Sequence, residues 1–155
     1  MVDLRPTKNN TYMSVAEAVS ERSHDLETKV GAVLVKNDSG AIVATGHNGF
    51  VRGAPDNELP STRPEKYPYM IHAEENVIAH CARYGISMDN CKLVCTMTPC
   101  VKCMRLLWQS GVTHIVAKEK YKDFDEQIMK MNDISVDVRC DESDGFTHLV
   151  YSRVR

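Results

Sequence analysis

His72-Ala73-Glu74 and Pro99-Cys100-Val101-Lys102-Cys103 give this chain of 155 residues three metal-ligating side chains that folding has to bring to one point. On a helix, residues three apart share a face, so Cys100 and Cys103 can grip one ion. His72 must then come from the start of a neighbouring helix. Met70 to Tyr84, ended by Gly85, reads as that helix, with Ile71, Val77, Ile78 and Cys81 available for its apolar stripe. Pro99 introduces the second helix, Cys100 to Ser110, closed by Gly111, and Cys91 to Thr96 is a short strand between the two. This alternation predicts an α/β protein, a sheet sandwiched by helices.

The other elements fit around that unit. Met13, Val15, Ala16 and Val19 suggest an amphipathic helix over Thr11 to Arg22. Lys29 to Lys36 is an apolar, valine-rich run suited to a covered strand, Asn37-Asp38-Ser39-Gly40 is a turn, and Ala41 to Thr45 is the return strand. Phe50 to Pro68 holds four of the six prolines and excludes helix and strand alike; a loop this long is usually functional or mobile. Thr113 to Ala117 reads as a buried strand. Asp123 to Met131 is a helix candidate, Ser135 to Arg139 a strand, and Thr147 to Val154 a final strand on the sheet's edge. No repeat or linker divides the chain, so residues 1–155 are expected to form one domain.

The three ligands leave a fourth metal position without an equally well-placed protein donor. Structural zinc normally takes four protein ligands, whereas catalytic zinc keeps one position for water. Two thiolates neutralise Zn²⁺ formally, and two helix N-termini aimed at the metal favour thiolate and hydroxide over their protonated forms. Glu74, beside the open position, suits a proton shuttle and is not a ligand. His-x-Glu with Pro-Cys-x-x-Cys is also the pattern of zinc-dependent nucleobase deaminases. By that resemblance hydroxide attacks C4 of a cytosine ring, Glu74 protonates N3 and then the departing amine, and ammonia leaves.

Each half of the pattern has a plainer reading. His-x-Glu alone is usually a surface accident, and an isolated Cys-x-x-Cys can be redox-active or half of a structural zinc site; their conjunction at two helix starts favours catalysis. His80 and His114 read as core or surface histidines, and Cys81, Cys91, Cys95 and Cys140 as small buried hydrophobes. Trp108 with Leu106 and Leu107 reads as helix packing or an interface. Six cysteines without an export signal suggest reduced thiols and a cytoplasmic protein.

A further set of segments resembles the deoxycytidylate deaminase family of the cytidine deaminase-like superfamily, from about Thr11 to Asp125. These are Arg22-Ser23-His24-Asp25 before Val30-Gly31-Ala32, Gly46-His47-Asn48-Gly49, Lys66-Tyr67-Pro68-Tyr69 leading into the His72 motif, and Lys120-Tyr121. The resemblance implies a three-layer α/β/α cytidine deaminase-like fold with a central mixed sheet. It implies conversion of dCMP to dUMP for thymidylate synthesis, a homo-hexamer, and activation by dCTP and inhibition by dTTP, each with Mg²⁺. Residue by residue, it places Asn48 and Ala73 against the substrate, Arg22, Ser23 and Lys120 at its 5′-phosphate, and Gly46, His47 and Gly49 at the effector. His47 stands where the family has tyrosine. Met13 to Ser20 and Phe50 to Met70 lack the Cys and His residues through which some relatives bind a second zinc, so one zinc per chain is expected.

Composition separates the rivals. A net charge of −2, a pI near 6.3 and 6% aromatic residues disfavour a deaminase of bases within RNA, a nucleic-acid partner or an acidic membrane. A free cytidine deaminase differs in not requiring the 5′-phosphate. A zinc-stabilised nucleotide sensor has no use for Glu74 beside an open metal position.

Overall fold

In the computed structural model, which describes residues 2–129 and 136–151, the elements run α1 (Lys8–Ser20), β1 (Gly31–Lys36), β2 (Ile42–His47), α2 (Ala73–Tyr84), β3 (Cys91–Met97), α3 (Val101–Gln109), β4 (Val112–Glu119), α4 (Phe124–Met129), β5 (Val136–Cys140) and β6 (Thr147–Tyr151). The strands form one sheet in the order β2-β1-β3-β4-β6-β5. β1 pairs antiparallel with both β2 and β3, β3 runs parallel to β4, and β6 is antiparallel to β4 and β5. The single parallel pair is the one joined through α3, because a parallel connection needs a crossover. The sheet is therefore mixed, as expected.

Alternation along the strands divides the core into two. Ala32 and Leu34 of β1, Leu93 and Cys95 of β3, and Ile115 and Ala117 of β4 face α2 and α3, packing on Val77, Met104 and Leu107. Val33, Val35, Val94 and Val116 point the other way, onto Tyr12, Met13 and Ala16 of α1. Successive side chains on a strand project to opposite faces, so valine-rich runs such as Ala32-Val33-Leu34-Val35 serve both layers at once. Close contact between α1 and the sheet depends on Gly31, where a Cβ would lie 1.9 Å from the Ala16 carbonyl oxygen.

α1 begins earlier than expected because the Thr7 hydroxyl accepts the Asn10 N–H and caps it. The strand expected at the sheet edge, Thr147 to Val154, is interior over its described part: β6 lies between β4 and β5. Thr147, His148 and Leu149 are buried, while β5, with Asp137, Val138, Arg139 and Cys140 exposed, forms the edge. The tight turn at 141–146 folds β5 back outside β6, and the charged strand takes the solvated position. Cys140, expected to be buried, is exposed for the same reason. Residues 130, 131, 135 and 152–154, over which the last helix and the two tail strands were expected to extend, lie outside the described residues. Among the described residues no helix is long and apolar enough to cross a membrane.

Candidate metal and nucleotide site

His72 and Cys100 occupy equivalent positions, each the residue immediately before a helix, α2 and α3 respectively. Glu75 accepts the His72 backbone N–H at 3.0 Å and helps fix the start of α2. Pro99 precedes Cys100, and the extended backbone at Cys100 turns its sulfur toward α2. Cys103, one turn into α3, presents its sulfur to the same point. His72 Nδ1 lies 3.7 Å from Cys100 Sγ and 3.4 Å from Cys103 Sγ, and the three donor atoms all fall within 4.8 Å of one another. A tetrahedral zinc with Zn–S near ~2.3 Å and Zn–N near ~2.05 Å requires N···S edges of about 3.5 Å. The donor set and its spacing fit that ion.

Charge is tuned around this point. The hydrogen bond from Cys103, opposed by burial and reinforced by His72, draws the Cys100 thiol down to about 4, while the same bond, with burial, raises Cys103, so Cys100 is the sulfur held as thiolate and Cys103 the one holding the proton. Glu74, in the first turn of α2, is 4% exposed. Burial pushes its carboxyl up to about 7, which poises it to accept or release a proton near neutral pH.

His72, Glu74 and Cys100 open onto a cavity of about 350 Å³ whose wall includes Val30, Asn48, Ala73, Met97 and Thr98. Asn48 is held from three directions: its Oδ1 accepts the Val30 N–H at 2.9 Å, and its Nδ2 donates to the Thr28 carbonyl at 2.8 Å and to Asp25 at 3.3 Å. The amide is thus fixed in one orientation against the cavity. Ala73 reaches the cavity from the residue after His72.

The structure does not bring the expected phosphate contacts to this cavity. Arg22 lines a second cavity instead, Ser23 is buried with its hydroxyl accepting the Asp25 N–H, and the exposed Lys120 sits over the Phe124 ring. The cations on the wall of this first cavity are Arg63 and Lys66 from the proline-rich loop, joined there by Tyr67 and Tyr121. Arg63 belongs to no motif, and its approach depends on contacts from that loop to Glu27 and Thr28, about 35 positions away. A basic residue within a proline-rich loop was the available signal.

The second cavity, about 510 Å³, contains His47 and Gly49 together with Arg22, Arg52, Arg83, His24 and His80, against Asp56 as its one acidic side chain among the lining residues. Gly46 is absent from that wall. It lies beneath α2, where a Cβ would come 2.7 Å from the Ala73 carbonyl oxygen, so it sets the approach of the helix that carries the site.

A family model described as the cytidine and deoxycytidylate deaminase zinc-binding region matches residues 6–119. Human deoxycytidylate deaminase is 34% identical over 122 residues, spanning 74% of this chain and 67% of the human protein. The crystal structure of dCMP deaminase from the cyanophage S-TIM5 in complex with dCMP and dUMP is similar at a TM-score of 0.68 and 32% identity, covering 83% of this chain and 95% of the phage chain. A Thermotoga maritima diaminohydroxyphosphoribosylaminopyrimidine deaminase/reductase shares the fold, with a TM-score of 0.55 and 23% identity over 74% of this chain and 30% of that one.

Proposed function

Because this chain belongs to the cytidine and deoxycytidylate deaminase family, we propose that it hydrolyses dCMP to dUMP and ammonia, with His72, Cys100 and Cys103 holding one catalytic Zn²⁺. The observation that carries this reading is a carboxyl kept in its own buried niche beside a three-donor centre, both facing one nucleotide-sized cavity. When bound, zinc supplies the Lewis acidity that activates water at neutral pH. Glu74 takes up the proton this releases at a carboxyl oxygen and delivers it to N3 of the cytosine ring, then takes the proton of the new hydroxyl on C4 and passes it to the departing amine. The raised pKa supports both directions of transfer. Asn48 and Ala73 orient the nucleoside, and Val30 and Met97 exclude water from its apolar faces.

The second cavity supports an effector site for dCTP and dTTP with Mg²⁺. Three arginines and three histidines around one aspartate suit a polyphosphate, with His47 and Gly49 on the wall and Arg22 among its cations. Gly46 contributes by positioning α2 rather than from that wall. The resemblance carries the further reading of one deaminase domain over 1–155, assembled as a cytoplasmic homo-hexamer that supplies dUMP for thymidylate synthesis; light scattering tests the assembly.

The deciding experiment is ammonia release by the zinc-loaded protein from dCMP, deoxycytidine and CMP in parallel. Turnover of dCMP above the other two is expected. Absence of dCMP turnover, with dCTP and Mg²⁺ present, overturns the assignment.

A further inference from the structure

The two cations on the catalytic wall are not equivalent. Lys66 is 3% exposed, and its ammonium lies 2.7 Å from Asp25 Oδ2, so its charge is consumed inside the protein. The Arg63 side chain is 34% exposed and is anchored at three points: Nη2 donates to Thr28 Oγ1 at 2.8 Å, Nη1 lies 3.4 Å from Glu27 Oε2, and the guanidinium hydrogen-bonds Tyr67. A guanidinium carries five N–H donors, so these contacts fix its place while leaving donors for the cavity. The Glu27 carboxylate is 32% exposed, and water weakens its hold on Arg63. Desolvation works against the Arg63 charge, but Tyr67 and Glu27 raise its pKa.

A 5′-monophosphate is a dianion, recognised best by a planar donor fork with additional hydroxyls. Tyr67 and Tyr121 line the same wall as Arg63. Resting on the proposed deamination of dCMP, we infer that Arg63 is the specificity-determining residue that selects a nucleoside 5′-monophosphate over the free nucleoside. Glu27, whose other oxygen lies 3.6 Å from Lys66 Nζ, is its resting counter-ion. When the phosphate docks, it takes the donors not committed to Thr28 and displaces part of the Glu27 contact.

The test compares zinc-loaded wild type with Arg63→Gln, Arg63→Lys, Glu27→Gln and Lys120→Gln. Steady-state deamination of dCMP and deoxycytidine is read beside calorimetric binding of the products dUMP and deoxyuridine. Arg63→Gln is expected to lower kcat/KM for dCMP about 100-fold, chiefly through KM, and to bring dUMP binding to within about threefold of deoxyuridine. Arg63→Lys should recover about tenfold of that loss, which a misfolded site would not allow. Glu27→Gln should lower KM for dCMP, and Lys120→Gln should leave it within about twofold. If wild type binds dUMP no better than deoxyuridine and does not deaminate dCMP, the substrate reading fails and Arg63 with it. If wild type prefers the monophosphate and Arg63→Gln keeps that preference, the Arg63 assignment alone is overturned.

Discussion

Lys66 Nζ lies 2.7 Å from Asp25 Oδ2 with both side chains almost wholly buried, an ion pair across 41 positions that ties the proline-rich loop to the segment following α1. Asp25 also accepts the backbone N–H groups of Glu27 and Thr28 at 2.8 and 2.9 Å and faces the Asn48 amide. The pair therefore fixes a loop and a cavity-wall residue together. A buried charge can be kept only where such partners offset its desolvation.

Breaking that pair from one side leaves an unpaired buried charge. Lys66→Met is expected to cost about 3–5 kcal/mol of folding stability, and the Asp25→Asn, Lys66→Met double variant less than the sum of the singles. Urea unfolding of the four proteins measures this. Strict additivity would show that the two side chains do not interact.

The same carboxylate gives the fold an acid limit. Burial pushes Asp25 up, but the Lys66 ammonium and the two backbone N–H groups outweigh it and hold its pKa below the ordinary value. Its contribution is therefore complete above the unfolded pKa, about 3.9, and is lost as pH falls through the lower folded value. Denaturation midpoints between pH 6 and pH 2 should show this loss in wild type and not in Asp25→Asn.

His114 acts in the same direction over a higher range of pH. Burial, with the neighbouring His148, Lys92 and Arg139 charges, depresses its pKa to about 4. The unfolded chain binds that proton near pH 6.5 while the folded chain does not, so stability drains as pH falls from about 6.5 to about 4. His114→Gln should flatten this part of the profile, and NMR titration of the imidazole checks the folded value directly.

Glu74→Gln keeps the shape of the carboxyl and removes its proton transfer. Loss of activity on dCMP by about 10²–10⁴-fold with zinc retained is expected, since general acid–base catalysis contributes on that scale. Elemental analysis beside the assay separates a failed shuttle from a lost metal. Full activity in the variant would remove Glu74 from the mechanism.

Metal analysis should find one zinc per chain, lost in Cys103→Ala. A second group of possible ligands, Asp141, Asp144 and His148, satisfies itself: His148 Nε2 lies 2.9 Å from Asp144 Oδ2, and its Nδ1 lies 3.0 Å from His114 Nε2. Two zinc ions per chain would contradict this count.

By itself the sequence determined the parts of this protein whose physics is local. Cys100 and Cys103, one turn apart, had to present both sulfurs at the start of one helix, although Cys100 is its extended cap and not part of the helix itself; Gly85 could end α2 in the left-handed conformation at φ +66°, and Val33 and Leu34 had to serve opposite faces of a covered strand. Convergence of His72 with the cysteine pair followed because one ion needs all three. Only the tertiary structure decided which cations surround the cavity. Arg22 and Lys120 were plausible phosphate contacts as residue types, yet the path of the loop at 50–70 brought Arg63 and Lys66 to that wall. The order of the last two strands was also set at a distance, by burial of Leu149 against β4 and exposure of Arg139 at the edge. Periodicity and capping act over a few residues, whereas the pairing of Asp25 with Lys66, or of β4 with β6, is chosen by which long-range contacts best repay burial.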